Sequence, residues 1–299
     1  MKAIVTGSSG FIGSALVKNL ESDGHHVVRL VRTQVDTGPN AVFWHPLNGV
    51  ANTSALEGAN AVFHLAGENL ADGRWTTARK LRIRDSRVIG TRTLATALSG
   101  LKSPPEVMIC ASAVGIYGVN PDGPVTESSL PGENWLAQMC VEWESATTPA
   151  QNAGIRTVFL RTGIVLDPSG GMLKRILLPF RLGLGGRLST GNQPMSWITL
   201  RDAVTAFRFA SETPSLYGPV NLCAPESSTN IDFTVALGKA LRRPTVFPIP
   251  SMAIKVIFGT ELATAMLGGV FMDAGKLLES GFKFRDPYLA EACRRLCQQ

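Results

Sequence analysis

Short runs of β-branched and aliphatic residues recur along the first two-thirds of the chain, each followed by a longer stretch whose apolar positions are spaced as on a helix. Residues 3–5, 27–31, 41–44, 61–66, 107–111 and 157–161 read as strands. Residues 11–21 read as a helix that stops near Gly24. Strands alternating with helices in this way are the signature of a parallel sheet wrapped by helices, an α/β fold. After Asp167 the pattern loosens. Residues 168–191 are rich in Gly and Leu, carry Arg175, Arg181 and Arg187, and do not alternate cleanly. Residues 177–180 admit a reading as a membrane-surface helix, but a segment of a substrate lobe packed on the sheet is the better expectation. A short strand at 220–222 returns to the sheet and a helix follows at 233–241. Beyond Pro244, Pro248 and Pro250 the chain reads as a mostly helical lobe.

The sequence starts with Lys2-Ala3-Ile4-Val5-Thr6 and runs directly into Gly7-Ser8-Ser9-Gly10-Phe11-Ile12-Gly13. Its N-terminus is therefore expected to be the first strand and not a cleavable signal. Between a strand and a helix, Gly7 permits a tight turn, Gly10 lets the backbone approach a phosphate, and Gly13 lets the helix pack closely. The first helical turn then offers unpaired N–H groups and partial positive charge to a pyrophosphate. The loop predicts a dinucleotide site made by Gly7, Ser9, Gly10, Phe11, Ile12 and Gly13. A Rossmann-type, doubly wound domain over residues 1–166 follows, with a returning segment near 203–224. Residues 167–202 and 225–299 are left for a smaller, mostly helical substrate lobe.

The end of the second strand bears on which dinucleotide. An acidic residue there would bind a ribose 2′-hydroxyl, whereas an Arg accommodates a 2′-phosphate. This chain has Arg29, Leu30, Val31, Arg32 and Thr33, with no carboxylate before Asp36. NADP(H) is the expected cofactor and Arg32 its main phosphate ligand, with NAD(H) the alternative.

Composition changes little. With 44% apolar and 17% charged residues in 299, the chain has the makeup of a globular enzyme with a sizeable core. No apolar run is long enough to cross a membrane. The net charge of +6 and the cluster Arg79, Lys80, Arg82, Arg84, Arg87 and Arg92 raise nucleic acid as a partner. Asp85 interrupts that cluster and no aromatic residues interleave it, so a solvated helix face with one or two residues turned inward is expected. The five cysteines are scattered without a CxxC pair, and the four histidines lack metal spacing. A reduced, cytoplasmic setting without a metal site is expected.

The GxxGxxG spacing resembles that of the extended short-chain dehydrogenase/reductase superfamily. His64-Leu65-Ala66-Gly67, Gly90-Thr91, Ile116-Tyr117-Gly118 and Trp197-Ile198-Thr199-Leu200-Arg201-Asp202 fall in register with it. The resemblance implies a cofactor wall that includes Leu65, Ala66, Gly67, Ser112 and Arg161. It also implies a catalytic Ser after the fifth strand and a Tyr-x-x-x-Lys on the next helix, the Lys lowering the Tyr pKa while hydride passes to or from nicotinamide. Here those positions hold Ala113, with Ser112 one residue early, Leu136 and Cys140.

Ala66-Gly67-Glu68-Asn69, Gly73-Arg74-Trp75, Asp85-Ser86-Arg87 and the segment from Leu178 to Gly186 are similar to the atypical YfcH-type "epimerase family", also labelled cell-division-inhibitor-like. Leu267-Gly268-Gly269 and Glu279-Ser280-Gly281-Phe282-Lys283-Phe284 match that branch's C-terminal domain of unknown function. Glu68, Arg87 and Tyr117 are then the candidates for acid–base and anchoring work. Glu68 would sit in an apolar cleft, and Arg87 would hold an anionic substrate or pair with Glu68. Cys140 is a further nucleophile candidate, with no nearby His or Lys in sequence to activate it. Arg161, Arg181, Arg187, Gln193 and Trp197 are the substrate-side candidates, whereas Trp44, Trp75, Trp135 and Trp143 read as packing residues. The expectation is an NADP(H)-dependent oxidoreductase or epimerase-like enzyme acting on a small molecule, with a non-catalytic NADP(H) sensor as the alternative. A homodimer is a candidate assembly, and neither nucleic acid nor membrane is an expected partner.

Overall fold

A computed structural model describes all residues except 35, 36, 51, 120 and 299. Among these residues ten strands order as β10-β7-β6-β5-β1-β2-β3-β4 in one eight-stranded sheet and β8-β9 in a small second one. The sheet strands are β1 (Lys2–Thr6), β2 (His26–Val31), β3 (Ala41–His45), β4 (Gly49–Val50), β5 (Ala61–His64), β6 (Val107–Ala113), β7 (Arg156–Thr162) and β10 (Gly218–Leu222). All pairings in the large sheet are parallel except β3 with β4. This is the predicted Rossmann-type sheet.

The unbroken apolar runs have a simple cause. Successive side chains of a strand point to opposite faces. On β1, Ala3 and Val5 enter one core and Ile4 the other. Ala61 and Phe63 against Val62 on β5, and Val107 and Ile109 against Met108 and Cys110 on β6, divide in the same way. Both faces are covered, so no position can be polar without a partner.

One face carries α1 (Phe11–Ser22) and α6 (Leu200–Glu212), which bury Leu16 and Leu20 against Ala203 and Phe207. The opposite face carries α2 (Thr77–Ser99), α3 (Trp135–Ser145) and α4 (Thr148–Asn152). Leu94, Ala95 and Leu98 of α2 are fully buried there. Each such Leu contributes about 1.5–3 kcal/mol over leaving it in water.

A second core joins β8 (Ile164–Asp167), β9 (Trp197–Thr199) and the helices α5 (Gly171–Arg181), α7 (Asn230–Leu241) and α11 (Leu289–Cys297). The substrate candidate Trp197 is wholly buried in it, its indole N–H 3.3 Å from Ser228 Oγ. The helices α8 (Ser251–Phe258), α9 (Thr260–Leu267) and α10 (Gly275–Glu279) complete the C-terminal region. Leu277 and Phe282 from this region reach back into the core of the large sheet.

The Trp197–Asp202 motif is the mechanical link between these parts. The Asp202 carboxylate accepts the backbone N–H groups of Arg285 (3.0 Å) and Asp286 (2.8 Å). Asp286 in turn accepts from the Thr199 hydroxyl at 2.8 Å and from two nitrogens of Arg295 at 2.9 and 2.7 Å. Among the described residues no helix is long and apolar enough to cross a membrane.

Candidate active site

The 7–13 loop turns at the C-terminal edge of the parallel sheet, where ligands bind in doubly wound folds. Gly7 has φ of 65°, and a Cβ there would lie 2.7 Å from the backbone of Leu65. A Cβ on Gly13 would lie 2.1 Å from the Gly7 carbonyl oxygen, so the first helical turn can close on the loop only without one. Gly10 is the N-cap of α1. It makes no side-chain cap bond, and the first turn contains no acidic residue. That turn therefore presents amides without a built-in anion, as a pyrophosphate seat requires. Ser9 and Gly10 are exposed at its rim.

The Phe11 ring packs at the start of α5. A Cβ on Gly170, the N-cap of α5, would come within 2.3 Å of it. The Phe11 side chain thus seats the start of α5. Arg29 and Arg32 are exposed on and just past β2. Asp36 lies outside the described residues.

The β5 strand ends at His64, two residues before the predicted end. The Thr6 hydroxyl oxygen accepts the amides of Leu65 (3.1 Å) and Ala66 (3.2 Å), which turns the chain away. These amides are thereby spent, so Leu65 and Ala66 can meet a cofactor only through other atoms. With two N–H groups on its oxygen, Thr6 donates its own proton to His64 Nδ1 at 2.8 Å. His64 Nε2 then carries the proton and donates to Thr91 Oγ1, also at 2.8 Å, an oxygen that accepts from the Trp143 indole at 3.0 Å as well. Burial, reinforced by the charge of Arg87, pushes the His64 pKa down to about 4. This neutral chain ties β1, β5, α2 and α3 together under the cleft.

A second buried network lies beneath the end of β6. Ser112 donates to Glu144 Oε1 at 2.7 Å, and Arg161 grips both Glu144 oxygens at 2.9 Å. Arg161 Nη1 donates to the Tyr117 hydroxyl at 3.0 Å, which donates to Asn221 Oδ1 at 2.6 Å. The Asn221 amide reaches the carbonyls of Val125 and Asp273 at 3.2 and 3.0 Å. Burial raises the Tyr117 pKa despite the Arg161 contact. Burial pulls the Arg161 pKa down, but the bonds and charge of Glu144 outweigh it and hold it above the ordinary value. Tyr117 is 4% exposed and Ser112 4%. Both are thus placed by the structure in a saturated network, their hydroxyl protons already committed.

The positions of the missing Tyr and Lys are apolar. Leu136 packs on Gly115, where a Cβ would meet its Cδ2 at 2.5 Å. Cys140 is fully buried and its thiol is pushed up to about 12 by burial, which removes it as a thiolate nucleophile.

Glu68 does not sit in an apolar cleft. Its side chain is 31% exposed and its carboxylate meets Arg82 at 3.4 Å. Arg87 reaches Glu68 through the backbone carbonyl at 2.9 Å instead of pairing with the carboxylate. The rest of the basic run is held along α2, apart from Arg92, which is exposed. Arg84 pairs with Glu142, Lys80 with Glu261, and Arg79 donates to the carbonyls of Asn69 and Asp72. Those carbonyls belong to the 66–76 strap, which Arg175 of α5 also holds through Ala71 and Asp72. Arg181 and Arg187 are exposed, whereas Gln193 is turned to the Leu188 carbonyl. Neither Asn221 nor Glu144 is among the candidates read from the sequence. A buried Asn inside an apolar strand was the available signal.

Residues 3–223 match the NAD-dependent epimerase/dehydratase family, and residues 249–296 a domain family of unknown function. An epimerase family protein of Mycobacterium bovis is 43% identical over 288 residues, 96% of this chain and 95% of that protein. The Bacillus subtilis epimerase family protein YfhF is 33% identical over 287 residues, 95% and 94% of the two chains. The crystal structure of human epimerase family protein SDR39U1 with NADPH superposes with a TM-score of 0.92 at 30% identity, covering 100% of both chains. The chain belongs to the NAD-dependent epimerase/dehydratase family, in the branch of the epimerase family proteins with its additional C-terminal domain.

Proposed function

We propose that this chain is an NADP(H)-dependent oxidoreductase or epimerase-like enzyme that acts on a small molecule without a Tyr–Lys pair. The observation that carries the reading is the first turn of α1, an uncapped helix start free of acidic residues at the C-terminal edge of a parallel sheet. Amides of Phe11, Ile12 and Gly13 would hold the pyrophosphate, and Arg32 the 2′-phosphate. The human relative crystallised with NADPH supports that choice of cofactor. When bound, the cofactor supplies or accepts a hydride. Glu68, partly in solvent and with its carboxylate held among the described residues only by a 3.4 Å contact to Arg82, is the candidate to move a proton. Tyr117 and Arg161 would hold the floor in place.

The test is hydride exchange. NADPH deuterated at the nicotinamide is incubated with the protein and a small-molecule extract of cells, and products are read by mass spectrometry. Label moving into a metabolite supports the enzyme; none moving, with NADPH still bound, leaves the second reading. That reading is an NADP(H)-binding sensor without turnover, and Leu136 and Cys140 at the Tyr and Lys positions favour it.

A further inference from the structure

Arg87 and Arg161 are both buried, and they are paired differently. Arg161 turns its Nε and Nη2 to the two oxygens of Glu144, a forked contact of 2.9 Å on each side. Arg87 is 9% exposed. Its Nη1 is used by the carbonyls of Glu68 at 2.9 Å and Ile83 at 3.3 Å. Its Nε is buried and has no partner among the described residues, and Nη2 makes no hydrogen bond among them either. The nearest acidic side chain in the strap, Glu68, is drawn off by Arg82.

The guanidinium is nonetheless held in place. Trp143 covers it with its ring centroid 5.1 Å from Cζ. On the Gly67 side, a Cβ would come within 3.1 Å of Cζ, 3.2 Å of Nη2 and 3.3 Å of Nη1, so Gly67 lies over the guanidinium. Gly67 is exposed on the loop that closes β5, two residues past Leu65, whose backbone lies against Gly7 of the glycine loop. A buried cation without a counter-anion is costly, and burial pulls the Arg87 pKa down to about 10. Carbonyl oxygens and a ring offset part of that cost. A pair of anionic oxygens on the vacant fork would offset the rest, as Glu144 does for Arg161.

We infer that the Nε–Nη2 edge of Arg87, behind Gly67, is the seat of an anionic group of the substrate, a carboxylate or a phosphate. This rests on reading the cleft as an NADP(H) site and specifies the charge of the molecule brought to it. A planar fork suits either anion, since both present two oxygens at matching spacing.

The experiment uses the full chain saturated with NADP⁺ and two probes, oxalate and inorganic phosphate, titrated by calorimetry into wild type, Arg87→Gln and Arg87→Lys. At least one probe is expected to bind the loaded wild type, and the stronger of the two identifies the anion class. Arg87→Gln should weaken that probe by about tenfold or more. It should leave NADP⁺ affinity unchanged. Arg87→Lys, which keeps the charge and loses the fork, should fall between them and stands in if the glutamine variant does not fold. Equal probe binding in all three proteins would overturn the assignment. So would a loss confined to NADP⁺ affinity, which would give Arg87 to the cofactor, or a loaded wild type that takes up neither probe. Failure of the wild type to bind NADP⁺ at all would instead sink the cofactor reading beneath it.

Discussion

Arg161 and Glu144 form a two-pronged ion pair, Nε and Nη2 each 2.9 Å from a carboxylate oxygen, with side chains only 8% and 13% exposed. The pair holds Ser112 on one side and Tyr117 on the other, so it sets the floor of the cleft from β6 to β10. Removing one charge strands the other in a poor solvent. Glu144→Ala is expected to cost about 3–5 kcal/mol in urea unfolding, whereas the double change Arg161→Met/Glu144→Leu should recover most of it. A single variant within about 1 kcal/mol of wild type would show that solvent reaches the pair.

The glycines of the 7–13 loop should separate stability from binding. A methyl on Gly13 meets the Gly7 carbonyl oxygen at 2.1 Å, inside any tolerable contact, and both atoms belong to backbone. Gly13→Ala is therefore expected to lower the melting temperature and to abolish NADPH binding together. Gly10 is exposed, and a Cβ there lies 3.1 Å from the same oxygen. Gly10→Ala should fold nearly as wild type while NADPH affinity falls about tenfold or more, because the methyl stands where a phosphate would approach the amides. Fluorescence titration of NADPH beside a thermal melt decides it. A Gly10→Ala protein that binds as wild type would move the pyrophosphate elsewhere.

Under the proposed function, cofactor preference turns on Arg32. A forked hydrogen bond to a phosphate is worth about 1.5–3 kcal/mol, so Arg32→Ala should weaken NADPH by about tenfold or more and leave NADH unchanged. Arg29 is also exposed on β2. An Arg32→Ala protein that keeps full preference for NADPH, followed by loss of preference in Arg29→Ala, would transfer the role to that neighbour.

What could be read from the sequence follows the range of the interactions. The strands were legible because burial on both faces leaves runs such as Ile4-Val5 unbroken, and the loop because a strand, three glycines and a helix lie next to one another. The inward turn of one arginine in the basic run was foreseen as a class, and Arg87 is the one. Its partner was not. Glu68 lies close enough in sequence to suggest a pair, but Arg82 on the same helix takes its carboxylate. The Ser112–Glu144–Arg161–Tyr117–Asn221 network joins elements far apart in the chain, and only the order of β6, β7 and β10 brings them together. β8 and β9 are short, and their pairing spans the α5 excursion, so neither carries a periodic signal of its own.

His64 gives the protein a pH dependence whose sign is fixed by its place in the Thr6–His64–Thr91 chain. Its Nδ1 accepts from Thr6, whose oxygen already takes two amides, so a proton on Nδ1 would face a donor-saturated oxygen. The folded pKa is accordingly lowered from 6.5 to about 4, chiefly by burial. Between those values the unfolded chain binds a proton that the folded chain refuses. Stability is then fully present above pH 6.5 and declines as pH falls towards 4. The shift corresponds to about 3 kcal/mol at most. His64→Gln keeps an acceptor and a donor without a titrating group. It should be less stable than wild type at neutral pH, yet lose less on acidification to pH 5. Urea unfolding at several pH values tests this: parallel pH profiles for the two proteins would mean that His64 does not carry the dependence, and that the acid sensitivity of the fold belongs to its carboxylates.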